Sequence, residues 1–257
     1  MNNNPIGVLD SGVGGLSVLR ELRAQLPAES LYYYGDGLNC PYGSKPLWKV
    51  EKYVDKGVRQ LKKHSIKMLV VACNSGTAAA IDFLRNRYDF PIVGMEPAVK
   101  PAAIATRSGV IGVLATANTL AGELYRTTAA RYADRVRIVP CVGTGFVELV
   151  EGDREGTPEA LEAVRRVVEP LLERGADQLV LGCTHYPFLA ADIRAVIASR
   201  AVDLVDPAPA IVRRVRSLLE EHDLVAQPGY TPLYRFFTAA DDHYRKMLRR
   251  KSGFFDQ

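Results

Sequence analysis

Three short segments of this chain occur twice, in the same order and at nearly the same interval, and that constrains the fold more than any other feature. IGVLDS begins at Ile6 and IGVLAT at Ile111, 105 residues on. LVVACNS places Cys73 where LVLGCTH places Cys183, 110 residues on. VGMEPA carries Glu96 and Pro97 where DLVDPA carries Asp206 and Pro207, again 110 residues apart. Any one match between an apolar run and small residues is weak, but three in order mark a duplicated structural unit. A chain of 257 residues built this way is expected to hold two similar halves.

Each half alternates short β-branched runs with longer stretches of helical period, the pattern of βα units around a mostly parallel sheet, so the fold class is α/β. Strands are predicted at Ile6 to Leu9, Ser30 to Tyr34, Met68 to Ala72, Ile92 to Gly94, Val110 to Ala115, Arg137 to Pro140, Gln178 to Leu181 and Val202 to Val205. Apolar residues at 16, 19, 22 and 26 predict a helix that Pro27 ends. The duplication implies two α/β lobes related by a pseudo-twofold axis. The active site is expected in the cleft between them, at the carboxyl ends of the strands, where open α/β sheets place their ligands. The segment from Tyr234 reads as one more strand and helix returning to the first lobe. The expected domains are therefore residues 1–96 plus 208–257, and 97–207.

Composition removes several classes. Apolar residues make up 47% and charged residues 24% of the chain, which excludes disorder as the main state. The net charge of +4 comes from 33 basic and 29 acidic residues scattered along the sequence, so nothing demands a nucleic-acid partner. Four cysteines without a CxxC pair argue against a disulfide scaffold and a structural metal site, and suit free thiols. No run approaches the roughly 18 apolar residues of a membrane helix, and the first residues lack a basic-then-apolar leader. The expectation is a cytoplasmic protein with no membrane partner.

Cys73 and Cys183 stand at matched strand ends of the two halves, and that pairing points to a reaction. Inverting a carbon that bears a C–H bond needs a base on one face and an acid on the other. Two equivalent groups then serve both directions. A thiol suits both roles because its ordinary pKa, about 8.5, lies close to neutrality. Asn74 and Ser75 follow the first cysteine, and Thr184 and His185 the second; hydroxyls and backbone N–H groups there can hold a carboxylate. His185 is also a candidate proton relay for Cys183. Asp10 and Ser11 end the first strand, where Asp10 can assist Cys73 or cap the loop. Tyr42 and Gly43, in the turn sequence CPYG, can present a hydroxyl and an N–H to a ligand. Cys40 is read as structural. Thr116, at the repeat position of Ser11, is a lesser candidate for substrate contact.

The loop SGVGG from Ser11 invites a dinucleotide reading, but the third fingerprint glycine falls on Ser17 and Asp10 would set a negative charge beside a pyrophosphate. Two alternatives carry chemistry of other kinds. One is a hydrolase with Cys183 as nucleophile beside His185, which leaves Cys73 unexplained. The other is a two-lobed solute-binding protein, for which an export signal is the missing feature.

Taken together, DSGVGGLSVLRELR from Asp10, GDGLNCPYG from Gly35, ACNSGTAAA from Ala72 and LGCTHYPFL from Leu181 resemble the cofactor-independent glutamate racemases of bacteria, and FVELVEG and FFTAADDHY fit in order. The resemblance implies two α/β lobes, commonly as a homodimer, interconverting L- and D-glutamate for peptidoglycan with no cofactor and no metal. It implies Cys73 and Cys183 as the proton-transfer residues. It implies Asp10, Ser11, Tyr42, Gly43, Asn74, Ser75, Thr184 and His185 as contacts of the amino acid. An aspartate racemase of the same wider family fits these residues equally well. The chain departs from the family's pattern at Ser75–Gly76, where relatives often have Thr, and around Glu148 and Glu151, which are left out of the expected site.

Overall fold

Aliphatic and β-branched runs bounded by glycine, proline or aspartate become the strands of two parallel sheets in the computed structural model, which describes residues 1–254. The first unit, residues 1–95 and 208–257, begins with β1 (Ile6–Asp10), α1 (Leu16–Gln25), β2 (Leu31–Gly35), α2 (Leu47–Lys62), β3 (Met68–Val71), α3 (Asn74–Arg87) and β4 (Ile92–Gly94). The second, residues 96–207, holds α4 (Val99–Ala105), β5 (Val110–Ala115), α5 (Ala117–Ala121), α6 (Glu123–Ala130), β6 (Arg137–Val142), α7 (Phe146–Glu151), α8 (Pro158–Glu173), β7 (Gln178–Gly182), α9 (Ala190–Ile197) and β8 (Asp203–Val205). The chain then completes the first unit with α10 (Ala208–Glu221), β9 (Tyr234–Phe237) and α11 (Asp242–Ser252).

The two sheets share one topology. The first runs β4-β3-β1-β2-β9, and the second, read in the same sense, runs β8-β7-β5-β6. Each repeated segment therefore occupies the same place in its own sheet, and the register repeats as well. Ile6 pairs with Met68, and Ile111 pairs with Gln178, the residue 110 positions after Met68. Every strand pair is parallel. Strand β9 is the addition, joining β2 at the sheet's edge.

Burial explains the strand composition. All residues of β1, β2 and β7 are buried, as a parallel strand covered on both faces requires. Helix α2 turns Val50, Val54, Val58 and Leu61 inward at helical spacing. Helix α8 does the same with Val164, Val167, Val168 and Leu171, and Thr157 caps it through its hydroxyl, which accepts the N–H of Ala160 at 3.2 Å. Strand β6 continues two residues beyond its expected end, past Pro140. It is the edge strand of its sheet, where a missing N–H is tolerated.

Candidate active site

In the first unit, Cys73 leaves the end of β3 and serves as the N-cap of α3, its Sγ accepting the N–H of Gly76 at 3.3 Å. The helix starts at Asn74, so Gly76 belongs to the first helical turn and not to a free loop. A side chain at Gly76 would put its Cβ 3.1 Å from that of Cys73. The N–H and the start of a 14-residue helix stabilise negative charge at this sulfur. Ser11 reaches the same atom from the neighbouring strand, Sγ to Oγ being 3.8 Å.

Asp10 is wholly buried and accepts the N–H of Gly12 at 2.9 Å, so it closes the loop after β1 and is not a helix cap. The glycines serve that packing. A Cβ at Gly15 would lie 2.6 Å from the Asp10 Cβ and 2.9 Å from the Tyr33 hydroxyl, which itself donates to the Gly12 carbonyl at 2.7 Å. The glycine loop thus lets α1 approach β1 closely.

Tyr42 is buried and donates its hydroxyl to Asp36 at 2.6 Å. Asn39 donates to both oxygens of that carboxylate at 3.1 Å. Burial first, and then the Asp36 charge, push the Tyr42 hydroxyl far above its ordinary range; the charge of Cys73 contributes further. Tyr42 is therefore a fixed donor. Burial also raises the Asp36 carboxyl, against the lowering effect of Tyr42 and Asn39. Gly43 lies half-buried in the turn that follows. Asn74 and Ser75 are both buried in the first turn of α3. Among the described residues, neither Oδ1 nor Nδ2 of Asn74 has a hydrogen-bond partner. Leaving a buried amide unsatisfied costs about 1–3 kcal/mol, a cost that a carboxylate or ammonium group of a ligand would remove.

The second unit repeats the strand-end cysteine and surrounds it differently. Cys183 follows β7, and its Sγ lies 3.8 Å from Nδ1 of His185. Nε2 of the same ring lies 2.6 Å from Oε1 of Glu151, the last residue of α7. A carboxylate at that distance fixes the proton on Nε2 and turns the Nδ1 lone pair toward the sulfur. Thr184 and His185 are buried. Tyr186 is buried as well; desolvation first, and then the charge of Cys183, raise its hydroxyl well above the ordinary value. Thr116 is engaged as the N-cap of α5, accepting the N–H of Thr119 at 3.3 Å.

Of the expected residues, Ser11 reaches Cys73, whose charge also acts on Tyr42, and His185 reaches Cys183. Sequence reasoning missed Glu151, whose register on α7 gave no hint of a partner 34 residues away. It also missed Asp36, which holds Tyr42 from six residues upstream. The histidine two residues after Cys183 was the one available signal for a nearby carboxylate.

Comparison with known proteins supplies the lineage. The chain is 43% identical over 248 residues to glutamate racemase of Herpetosiphon aurantiacus, covering 96% of this chain and 97% of that protein. Its structure matches glutamate racemase isoform RacE1 from Bacillus anthracis with a TM-score of 0.89 at 32% identity, over 99% of this chain and 96% of the other. It also matches Escherichia coli glutamate racemase in complex with L-glutamate and the activator UDP-MurNAc-ala, with a TM-score of 0.85 at 33% identity, over 98% and 96%. Residues 6–215 fit the model of the Asp/Glu/hydantoin racemases, and with relatives of this similarity along nearly its whole length the chain belongs to that family.

Proposed function

We propose that this racemase interconverts L- and D-glutamate by two-base proton transfer through Cys73 and Cys183, and supplies D-glutamate for peptidoglycan in the cytoplasm as a homodimer. The observation that carries the reading is the repeated placement of a cysteine at the end of one central strand in each unit, with polar donors on the next two residues. The names of the relatives support glutamate as the substrate.

The chemistry runs as follows. One cysteine, as thiolate, takes the α-proton and becomes a thiol, leaving the electron pair on Cα and its carboxylate. The other cysteine, as thiol, gives its proton to the opposite face and becomes a thiolate. The charge of the protein is unchanged and the two cysteines have exchanged roles, so the reverse reaction starts from the product state. Asn74, Ser75 and Thr184 hold the substrate's polar groups, and Ser11 adds a hydroxyl donor where charge develops, while Tyr42, its proton committed to Asp36, braces the wall beside Cys73. On the other side, His185, oriented by Glu151, stands 3.8 Å from the sulfur of Cys183. The purified protein, without pyridoxal phosphate or metal, is expected to racemise L-glutamate and to act on L-aspartate about tenfold or more slowly, since one methylene is worth roughly 1–3 kcal/mol. Optical rotation measures both. Equal rates on the two would refute the glutamate assignment.

A second reading rests on the Cys183, His185 and Glu151 arrangement, which also has the order of nucleophile, base and orienting carboxylate used in acyl transfer. It assigns Cys73 no task. Exchange of the Cα proton with solvent, without any hydrolysis product, separates racemisation from it.

A further inference from the structure

Strand β3 leads into Cys73, and its two sides are held differently at that end. Toward β1 the parallel ladder continues past the strand, the N–H of Ala72 reaching the Leu9 carbonyl at 2.8 Å. Toward β4 the register pairs Val71 with Gly94. The next bond of that ladder would run from the N–H of Met95 to the Val71 carbonyl, since parallel bonds recur evenly along a strand. A side chain stands in its place. The Met95 N–H donates to Oγ1 of Thr77 at 2.9 Å, and the Thr77 hydroxyl donates to the Val71 carbonyl at 3.2 Å. One hydroxyl thus parts the two strands just before the cysteine.

Thr77 is buried, in the first turn of α3. Its backbone N–H donates to the Cys73 carbonyl at 2.7 Å, so its own turn of helix closes on the cysteine while its hydroxyl reaches a carbonyl outside the helix. That hydroxyl has one proton, and Val71 takes it. The methyl group is fitted as closely, since a Cβ at Gly94 would lie 2.6 Å from Cγ2 of Thr77. One side chain therefore joins the start of α3, the end of β3 and the end of β4, and Cys73 lies between the first two. The residue 110 positions on, at the same place in the repeat, is Pro187, which has no hydroxyl. The duplication does not carry this bridge over to Cys183.

Proton transfer to and from carbon demands close placement of the carrier, and a displacement of about 1 Å can cost on the order of 10²-fold in rate. We propose that Thr77 is a positioning residue for the racemisation: its hydroxyl fixes the sulfur of Cys73 by bridging Val71 and Met95, without touching the substrate. Its effect on rate rests on the two-cysteine reading given above, whereas its effect on the place of the sulfur does not.

Two substitutions separate the hydroxyl from the shape. Thr77→Val keeps the methyl group and removes the hydroxyl, and Thr77→Ser does the reverse. In Thr77→Val, kcat for L-glutamate is expected to fall about tenfold or more with KM changed less than about twofold, whereas Thr77→Ser retains both within about twofold. Labelling with iodoacetamide, read by peptide mass spectrometry, follows each sulfur separately. The rate at Cys73 is expected to change about threefold or more in Thr77→Val while the rate at Cys183 stays at its wild-type value. A general loosening of the fold would alter both cysteines and would not spare KM. Gly94→Ala presses on the same side chain from β4 and leaves its hydroxyl in place, so it supplies the test if Thr77→Val does not fold; it is expected to lower kcat and to change the labelling of Cys73 alone. Wild-type kcat in Thr77→Val, equal losses in the serine and valine variants, or an equal change of labelling at both cysteines would each overturn the proposal. Wild-type turnover in Cys73→Ser would instead refute that cysteine as a proton carrier, and the labelling then decides on Thr77 by itself.

Discussion

Asn74 and Glu151 show what a single residue contributes here, and they differ in how far sequence could reach them. Asn74 stands next to Cys73, and its buried amide has no hydrogen-bond partner among the described residues. Glu151 acts at one remove, through its 2.6 Å hydrogen bond to His185. Its replacement by glutamine keeps the shape and removes the charge. Glu151→Gln is expected to lower kcat by about 10–100-fold with KM changed little; steady-state kinetics measures both. An unchanged kcat with reduced stability would make Glu151 merely structural. On the proposed two-cysteine scheme, Cys73→Ser and Cys183→Ser are each expected to reduce racemisation at least ~10³-fold while glutamate still binds, as calorimetry can read.

At the scale of elements, the strands were legible because buried parallel strands are written as near-continuous aliphatic runs. β1, β5, β3 and β7 are such runs, and their repetition located both cysteines. The helix start at Asn74 was less visible, since a cysteine is an uncommon N-cap and Gly76 looks like a loop residue. Its role follows from the N–H it donates to sulfur. The glycines after β1 were legible as a tight turn, but their reason is the approach to Asp10. Gly15→Ala would bring a Cβ within 2.6 Å of the Asp10 Cβ, and such overpacking costs about 1–3 kcal/mol. Denaturant unfolding should show that loss, and activity should fall with it, because Asp10 leads directly into Ser11.

Asp177 binds the entrance of β5 to that of β7. It accepts the Thr106 hydroxyl at 2.5 Å and the N–H groups of Arg107 and Ser108 at 2.6 and 2.9 Å. Burial alone would raise its carboxyl, but the Thr106, Ser108 and Arg107 hydrogen bonds together hold it below the ordinary carboxylate value. A carboxyl lowered by folding contributes stability above its unfolded pKa of about 3.9 and loses it as acid carries the pH down through the folded value. Asp177→Asn is therefore expected to cost about 1–3 kcal/mol at pH 7 and progressively less below about pH 4. Urea titrations of both proteins across that range check it; a difference independent of pH would deny the carboxylate its role.

At the scale of the whole molecule, duplication accounts for the architecture and is what the proposed chemistry draws on. Two units of one topology each carry a thiol at the same strand end, and the reaction asks for two proton carriers that can exchange roles. What the repeat could not reveal is where the copies diverged. Around Cys73 the neighbours are a serine, a helix N-terminus and a tyrosine held by Asp36, whereas Cys183 has a histidine held by a glutamate. Among the described residues, strand β9 has no counterpart in the second sheet.

The two-carrier scheme is tested most directly by racemising L-glutamate in deuterium oxide and following both enantiomers at low conversion by mass spectrometry after chiral separation. Each inversion should place one deuterium at Cα of the D-glutamate formed, while the remaining L-glutamate stays protiated, because the group that removes the hydrogen is not the one that delivers its replacement. Deuterium entering the remaining L-glutamate as fast as D-glutamate forms, or D-glutamate retaining its original hydrogen, would contradict transfer between two opposed thiols.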